Sequence, residues 1–183
     1  KNSDLVVERI RHLPVGGRMK DIPEHLWHDS YLRIGEKNTG GPNLRLLRLD
    51  PSLPSNTVTA YIFNKFAHPI EDRYITPREA ARLQQFPDTH LFAGSIVSIQ
   101  LQIGNAVPSG LADAVAEHVS KYLKRVSRKK TFSAISLFSG AGGITKGFEL
   151  AGLKGICGMD WFEAAGKTYR RNFNHPFIEG DIK

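Results

Sequence analysis

The chain has 183 residues, of which 40% are hydrophobic and 23% charged, so we expect a globular protein with a real core. No apolar run approaches the ~20 residues of a membrane span, no secretory signal opens the chain, and we do not expect its first residue, a Lys, to be a translation start. The single cysteine, Cys157, excludes an internal disulfide and fits a reducing cytoplasm. A net charge of +7 favours a polyanionic partner such as nucleic acid.

The first part of the chain, residues 1–60, carries few helix signals. The segments LPVGGRMKDIP and NTGGPN are rich in the Gly, Pro and Asn residues that form turns. The segments NLRLLRLD and NTVTAYIF are predicted to be short strands, the second because it is rich in β-branched and aromatic residues. We therefore expect an irregular, partly extended layer over residues 1–75.

The segment ITPREAARLQQFPD predicts a helix. Thr76 can cap it, Pro77 suits its first position, and Glu79 completes a capping box with Thr76. Ala80 and Leu83, with Ala81 as a further candidate, form its predicted inner face.

A second helix is predicted to begin at Pro108, after a turn at Gly104 and Asn105. Its large apolar residues recur with helical spacing and form one stripe, which we expect to face the core. The stripe consists of Leu111, Val115, Val119 and Tyr122.

A basic segment follows this helix, and residues 124–133 are predicted to be a linker. Three interpretations stay open: a solvated linker, cations that complement the dipole at the helix end, or a contact with phosphate. The six cations between positions 121 and 130 are Lys121, Lys124, Arg125, Arg128, Lys129 and Lys130.

The last part, residues 134–183, has a βαβαβ pattern. A buried strand AISLF, a GAGG turn, a helix ITKGFELAG that ends at Gly152, and a strand KGICGMD follow one another. A helix EAAGKTYRRNF and the start of a third strand, FIEGDIK, complete the pattern. The residues of the first helix predicted to face inward are Ile144, Phe148 and Ala151.

The glycine turn at residues 140–143 predicts a ligand site, because glycines at a strand-to-helix turn let a ligand approach the backbone. Asp160 and Asp181 are predicted to end the next two strands, where a carboxylate can accept hydrogen bonds from ribose hydroxyls. Thr145 stands where a dinucleotide fingerprint needs Gly, and Phe148 stands where a P-loop needs Lys. S-adenosylmethionine is the remaining common adenosine ligand, and glycines that only tighten a packed turn are the alternative.

Five motifs resemble those of DNA (cytosine-5)-methyltransferases. SLFSGAGG resembles the first motif, MDWFEAAGKTYRRNF the second, EGDI the third, RYITPREAARLQQFPD the ninth and QIGNAVP the tenth. GGRMKDIPEHL and LRLDPSLPSNTVTA resemble the stretch before the ninth motif, which would lead from a target-recognition region. The ninth and tenth motifs precede the first here, as in a circularly permuted member. The resemblance implies an α/β, Rossmann-like S-adenosylmethionine-dependent methyltransferase fold, permuted and partial, with ninth- and tenth-motif helices at residues 76–123.

The resemblance also implies roles for individual residues. Asp160 matches the ribose-binding acid, which is usually Glu, and Trp161 matches a residue that stacks on adenine. Ser136 stands where many members have Asp. Arg78 and Lys65 are candidate DNA contacts, and a solvated helix face is the alternative for Arg78. The implied cofactor-binding residues are Phe138, Ser139, Gly140, Ala141, Gly142, Gly143, Asp160, Trp161, Asp181, Ile182, Asn105, Ala106 and Val107.

The family's chemistry needs a Pro-Cys loop and a Glu-Asn-Val segment, and neither string occurs in the sequence. Cys157 is predicted to be a small core residue, so we expect no catalytic residue in this chain. We also expect no metal site. Methyl transfer is expected only together with the missing half of the enzyme. That half would be a continuing chain or a second subunit, in a cytoplasmic or nucleoid-associated restriction-modification enzyme that acts on duplex DNA. A non-catalytic DNA-binding or regulatory module, or another adenosine-using enzyme, is the alternative.

Overall fold

The structure is a computed structural model that describes residues 3–29, 31, 46–60 and 65–182. The chain forms two compact units. The first comprises Lys1–Thr57 and Tyr61–Thr76, and the second comprises Val58–Ala60 and Pro77–Lys183. Among the helices of the described ranges, none combines the length and the apolar character needed to cross a bilayer.

The first unit contains a helix that the sequence did not indicate. Helix α1 (Asp4–Arg11) has an acid in its first turn and arginines in its last, which suits the helix dipole, and it buries Ile10. Two 3₁₀ turns follow, at Met19–Asp21 and Glu24–Leu26. Their apolar residues close a small core that consists of Ile10, Leu13, Met19, Ile22, Leu26, Leu46 and Ala67.

Two short strands, β1 (Leu47–Arg48) and β2 (Phe66–Ala67), pair in parallel in the same unit. Strand β1 is the only part of NLRLLRLD that is a strand among its described residues, and positions 43–45 lie outside them. The strand predicted in NTVTAYIF is wrong for residues 56–60, which form no strand, and residues 61–64 lie outside the described ranges.

The second unit is an α/β assembly in which a three-stranded parallel sheet has the order β3-β4-β5. Helix α5 packs on β3 and β4, helix α6 packs on β4 and β5, and helix α4 packs on α5. The elements in chain order are α2 (Pro77–Leu83), α3 (Ile96–Asn105), α4 (Ser109–Val126), β3 (Ser133–Leu137), α5 (Gly143–Leu150), β4 (Lys154–Asp160), α6 (Glu163–Asn172) and β5 (Phe177–Glu179).

Helix α3 corrects the prediction that Gly104 and Asn105 form a turn, since both residues belong to the end of this helix. The helix is capped by Ser95, whose side chain accepts a hydrogen bond from the backbone nitrogen of Ser98 at 3.2 Å. Gly104 is required for packing, because a Cβ atom there would strike the backbone of Thr59 and Ala60.

Helix α4 also corrects the prediction, because its large apolar stripe does not face the core. The helix packs on α5 through small side chains, and the side chain of Ala112 lies against Gly147, where a Cβ atom would strike it. Small residues let the two backbones approach closely, so they occupy the covered face and leave Val115 49% exposed. The buried residues of α4 are Ser109, Ala112, Ala116 and Ser120.

On α2, α5 and β3 as well, large apolar residues that were predicted to face the core are exposed or only half-buried. On α2, Ala80 and Ala81 are buried as predicted, but Leu83 is exposed. On α5, Gly143, Thr145 and Gly147 are buried, whereas Ile144 is exposed and Phe148 and Ala151 are half-buried. Strand β3 was predicted to be buried, yet Ile135 and Leu137 are exposed. The core of this unit therefore combines small residues with a few large ones from several elements, among them Phe86, Ile103 and Tyr169.

Candidate functional site

The turn between β3 and α5 has the left-handed backbone that its glycines allow. The φ angles are 52° at Phe138, 53° at Gly140 and 88° at Gly142. A Cβ atom at Gly142 would strike Phe173, and one at Gly143 would strike the carbonyl oxygen of Val107. A Cβ atom at Gly140 would meet nothing within 4 Å, so this glycine leaves open space beside the backbone. Packing thus explains two of the glycines and does not explain Gly140.

Asp160, at the end of β4, braces the turn through both of its carboxylate oxygens. Oδ2 accepts the backbone N–H of Gly140 at 2.8 Å, and Oδ1 accepts the backbone N–H of Phe162 at 2.9 Å. Each carboxylate oxygen has a second acceptor site, so the group can still accept hydrogen bonds from a ligand. Asp160 therefore joins the glycine turn to the start of α6 and keeps free acceptor capacity.

Ser139 fastens the turn to the neighbouring strand. Its hydroxyl donates to the carbonyl oxygen of Ser136 at 2.8 Å and accepts the backbone N–H of Met159 at 2.9 Å. Its own backbone N–H donates to the carbonyl oxygen of Met159 at 2.9 Å. These bonds continue the β3–β4 pairing into the turn.

The segment between α3 and α4 approaches the turn from the other side. Gln84 is buried, and its side-chain amide donates to the carbonyl oxygens of Ile103 at 2.9 Å and Ala106 at 3.1 Å. The carbonyl of Val107 lies against Gly143, as described above. The ninth-motif segment therefore holds the tenth-motif segment against the first.

His90 supports the turn from beneath. Its ring is 2% exposed, and Nε2 lies 3.0 Å from the carbonyl oxygen of Ala141, so Nε2 must carry the donated hydrogen. Phe86 and Phe92 pack on the ring, with centroids 4.6 and 5.0 Å away. Burial in this apolar surrounding lowers the pKa of His90 to about 4, so the ring is neutral at neutral pH.

These elements enclose a cavity of about 290 Å³, close to the smaller ligand pockets of known proteins. The cavity brings together all the predicted cofactor-binding residues except Gly142, Asp181 and Ile182. Its lining residues are Leu101, Gln102, Asn105, Ala106, Val107, Phe138, Ser139, Gly140, Ala141, Gly143, Ile144, Asp160, Trp161, Phe162 and Ala165.

Asp181 and Ile182 line a smaller hollow of about 20 Å³ with Phe138, Asp160 and Trp161. The hollow shares those three residues with the larger cavity, so the two adjoin. Phe138 is 69% exposed and Trp161 is 73% exposed, which leaves two aromatic rings open to a ligand. Asp181 lies two residues beyond the end of β5, not at the last residue of the strand as predicted.

Sequence reasoning missed five lining residues: Leu101, Gln102, Ile144, Phe162 and Ala165. Gln102 accepts the hydroxyl of Thr168 at 2.5 Å and donates to the carbonyl oxygen of Ala93 at 2.8 Å, so α3 is tied to α6 beneath the cavity. No local signal marks these residues except at Phe162, which continues the aromatic run that begins at Trp161.

The two candidate DNA contacts lie in different units. Arg78 donates to the carbonyl oxygens of Pro87 at 3.4 Å and His90 at 2.8 Å, and its guanidinium lies 5.9 Å from the ring centroid of Phe92. It therefore orients the loop that carries His90. Lys65 directly precedes β2, where its carbonyl oxygen accepts the backbone N–H of Leu47. Among the described residues, no group of His, Cys, Asp and Glu could hold a metal ion.

Comparisons with known proteins agree with the motifs. A family model described as C-5 cytosine-specific DNA methylase matches residues 18–121 and 132–183. The putative type II methyltransferase M.MjaORF1200P of Methanocaldococcus jannaschii is 38% identical over 138 residues, which cover 65% of this chain and 35% of that protein. The type II methyltransferase M.DdeI of Desulfomicrobium norvegicum is 32% identical over 137 residues, which cover 69% and 32%.

A third relative is shorter. The type II methyltransferase M.AquIB of a Picosynechococcus species is 37% identical over 135 residues, which cover 68% of this chain and 86% of that protein. The chain thus spans about a third of the length of M.MjaORF1200P and M.DdeI, and most of the length of M.AquIB.

Proposed function

The chain belongs to the C-5 cytosine-specific DNA methylase family. On that premise we propose that it is the cofactor-binding part of an enzyme that methylates carbon 5 of cytosine in duplex DNA, with S-adenosylmethionine as the methyl donor. The observation that carries the proposal is the cavity at which the open side of Gly140, the carboxylate of Asp160 and the segment Asn105–Val107 converge. Because the substrate is DNA, we propose a cytoplasmic or nucleoid-associated enzyme.

The lining of the cavity fits this cofactor chemically. Gly140 leaves backbone room, Asp160 has acceptor sites for ribose hydroxyls, and the exposed ring of Trp161 offers a face for adenine. Asp181 and Ile182, in the adjoining hollow, would contact the edge of the adenine ring. When bound, the cofactor supplies an electrophilic methyl group on a sulfonium. The role of the chain is then to hold the cofactor and exclude water from its inner side.

Carbon 5 of cytosine is a poor nucleophile until a thiolate adds to carbon 6, and the base must first be flipped from the duplex. We propose that the thiolate and an assisting glutamic acid come from a polypeptide segment outside these 183 residues. Cys157 is a poor substitute, because it is half-buried in β4, where its thiol donates to the carbonyl oxygen of Gly158 at 3.3 Å. The greater length of M.MjaORF1200P and M.DdeI supports a continuing chain, and the short M.AquIB supports a second subunit.

We further propose that the motif order is a circular permutation. The ninth- and tenth-motif segments precede the glycine turn in this sequence. Only residues 127–132 separate the end of α4 from the start of β3, and a short surface connection of this kind permits rejoining of chain ends.

Calorimetric titration of the chain with S-adenosylmethionine tests the proposal. We expect binding that weakens roughly 5- to 150-fold in Asp160→Ala, the scale of a lost hydrogen bond to a charged group. Asp88→Ala is the matched control, because Asp88 is an exposed carboxylate that pairs with Arg82 and does not line the cavity. Equal affinity in Asp160→Ala and the unmodified chain would refute the assignment of Asp160.

A further inference from the structure

A cluster of exposed cations lies at the end of α4 and in the connection that leads from it to β3. Between Glu117 and Glu149 the chain has no acidic residue. Lys121 pairs with Glu117 at 3.3 Å, and within the described part of the chain the other cations of the cluster have no ion-pair partner. The cluster, called the basic segment below, consists of Lys121, Lys124, Arg125, Arg128, Lys129 and Lys130.

Hydrogen bonds fix the backbone of the connection at both ends. The N–H of Ser127 donates to the carbonyl oxygen of Leu123 at 2.9 Å, and the N–H of Lys129 donates to the hydroxyl of Ser127 at 3.2 Å. At the other end, the N–H of Lys154 donates to the carbonyl oxygen of Phe132 at 2.9 Å, and the exposed side chain of Lys154 adds a further cation. The connection is therefore a defined part of the surface, which argues against a freely solvated linker.

The helix dipole explains only part of this charge. Helix α4 ends at Val126, so Lys124 and Arg125 lie in its last turn, where cations complement the dipole. The cations at positions 128–130 lie beyond the helix, and the effect of the dipole is confined to its last turn. Lys121 and Arg125 are also four residues apart on the helix, a spacing at which like charges are destabilising. Folding stability therefore does not account for the basic segment.

The cations of α4 lie on a side of the helix that faces neither α5 nor the direction of its apolar stripe. At 3.6 residues per turn, Lys121, Lys124 and Arg125 fall within an arc of about 100°. The centre of this arc lies about 120° from the stripe and about 130° from the buried small residues that face α5. A layer that covers the stripe would thus leave these cations exposed to water and to a charged partner.

Helix α4 carries the basic segment away from the glycine turn. The carbonyl oxygen of Val107 lies against Gly143, and the side chain of Ala112 lies against Gly147, so α4 and α5 run side by side in the same direction. Helix α5 ends soon after Gly147, whereas α4 continues from Ala112 to Val126, about 20 Å at 1.5 Å per residue. The last turn of α4 therefore extends well past the end of α5.

Strand β3 separates the connection from the cavity. The strand begins at Ser133, after the connection, and ends at Leu137, just before the glycine turn, a span of about 15 Å. Lys154 pairs with Ser133 in the parallel sheet, so both mark the amino end of the sheet, while the cavity lies at the carboxyl end. A ligand of the basic segment therefore occupies a surface distinct from the cavity.

We propose that the basic segment and Lys154 bind the phosphate backbone of duplex DNA, in a stretch of DNA other than the one that is being methylated. Clustered Lys and Arg side chains bind DNA by releasing the counterions condensed on its phosphates, and such contacts do not read the base sequence. The choice of duplex DNA among polyanions rests on the proposed function. The surface thereby holds the enzyme on DNA whatever the local base sequence is.

Fluorescence anisotropy tests the proposal, with the 183-residue chain titrated into a labelled duplex of about 20 alternating A·T pairs at several salt concentrations. This probe contains no cytosine, so binding to it reports phosphate contacts and not the methylation target. We expect the double variant Lys129→Gln, Lys130→Gln to bind at least about fivefold more weakly at low salt. The slope of log affinity against log salt should also fall by about 2, since each lost phosphate contact removes about 0.9.

The matched control is the double variant Lys167→Gln, Arg170→Gln. It removes the same charge from two exposed cations of α6, which pair with Glu163 and Glu179. We expect the control to bind the duplex within about twofold of the unmodified chain, because these cations already have acidic partners. Equal affinity loss in both double variants would show that only net charge matters and would refute a defined surface.

Three further results would overturn the proposal. Unchanged affinity and salt slope in the double variant at Lys129 and Lys130 would show that the basic segment does not contact DNA. Tighter binding to vesicles with one-third phosphatidylserine than to the duplex, lost in that variant, would assign the segment to a membrane surface. Binding of the polypeptide that carries the Pro-Cys and Glu-Asn-Val segments, lost in the same variant, would assign it to that polypeptide.

The failure of this inference is distinguishable from that of the proposed function. A chain that binds S-adenosylmethionine, but whose binding to the duplex is unaffected by Lys129→Gln, Lys130→Gln, would refute the surface and leave the function standing. A chain that binds the duplex through the basic segment, but does not bind S-adenosylmethionine, would support the surface and refute the proposed cofactor site.

Discussion

The Oδ2 atom of Asp160 lies 2.8 Å from the backbone nitrogen of Gly140 and accepts its hydrogen. The same carboxylate accepts the N–H of Phe162 at 2.9 Å through Oδ1. The residue that the family resemblance assigns to the ribose is thus also the brace that fixes the glycine turn to the start of α6. Substitutions of Asp160 should therefore affect folding as well as cofactor binding.

We expect Asp160→Ala to lower the free energy of unfolding by about 1–3 kcal/mol, because two backbone N–H groups lose a charged acceptor. The stability of Asp160→Asn should lie between that of the unmodified chain and that of Asp160→Ala, since an amide provides one acceptor oxygen in place of two. Urea denaturation of the three proteins without cofactor measures the effect. An alanine variant as stable as the unmodified chain would mean that the two hydrogen bonds contribute nothing to stability.

Substitution of Gly143 tests the contact between the first and tenth motifs. A Cβ atom at this position would strike the carbonyl oxygen of Val107, so we expect Gly143→Ala to destabilise the chain by about 1–3 kcal/mol and to weaken cofactor binding. Gly180→Ala is the matched control, because a Cβ atom there meets nothing within 4 Å. Thermal melting with and without S-adenosylmethionine compares the two variants, and equal melting temperatures would contradict the packing described here.

Helix α4 offers a pair of adjacent positions with opposite expected outcomes. Ala116 is 0% exposed against α5, so Ala116→Asp should bury an unpaired charge and unfold the second unit. Val115 is 49% exposed, so Val115→Asp should change the stability of the chain alone by less than about 0.5 kcal/mol. Circular dichroism melts of both variants measure the difference. Strong destabilisation by Val115→Asp would restore the sequence prediction that the large stripe is core.

Because the ring of His90 is buried, we expect the stability of the chain to depend on pH. Burial lowers the pKa of its ring to about 4 in the folded chain, below the ordinary value near 6.5. Between these values the unfolded chain binds more protons, so stability is complete above about pH 6.5 and falls by up to about 3 kcal/mol as the pH approaches 4. His90→Gln can still donate to the carbonyl oxygen of Ala141 and does not titrate. Denaturation curves from pH 7 to 4 should therefore be flatter for His90→Gln, and equal slopes would refute this role.

The βαβαβ part could be predicted from the sequence because its signals are local. Strand β4, helix α6 and the turn at Gly140 each depend on residues a few positions apart, and the structure has all three. Helix α3 was missed because IVSIQLQIGN is rich in β-branched residues and alternates like a strand. Which side of α4 is covered depends on Gly147 of α5, and periodicity within α4 alone cannot reveal it.

In the candidate site, too, some residues could be predicted from local sequence signals and others could not. The motif residues Gly140, Asp160 and Asn105 are recognisable by type and spacing, and they line one cavity. His90 was not predicted, since its bond to Ala141 spans 51 residues and its ring resembles any core histidine from sequence alone. Supporting contacts of this range become visible only when the fold brings the segments together.

Transfer of labelled methyl from S-adenosylmethionine to cytosine in duplex DNA tests the central claim most directly. The chain alone should transfer no methyl group, because it lacks the Pro-Cys and Glu-Asn-Val segments. Addition of the polypeptide that carries them should restore transfer, equally for the unmodified chain and Cys157→Ala. Robust transfer by the 183-residue chain alone, abolished in Cys157→Ala, would contradict the account, because it would make Cys157 the nucleophile and the chain a complete enzyme.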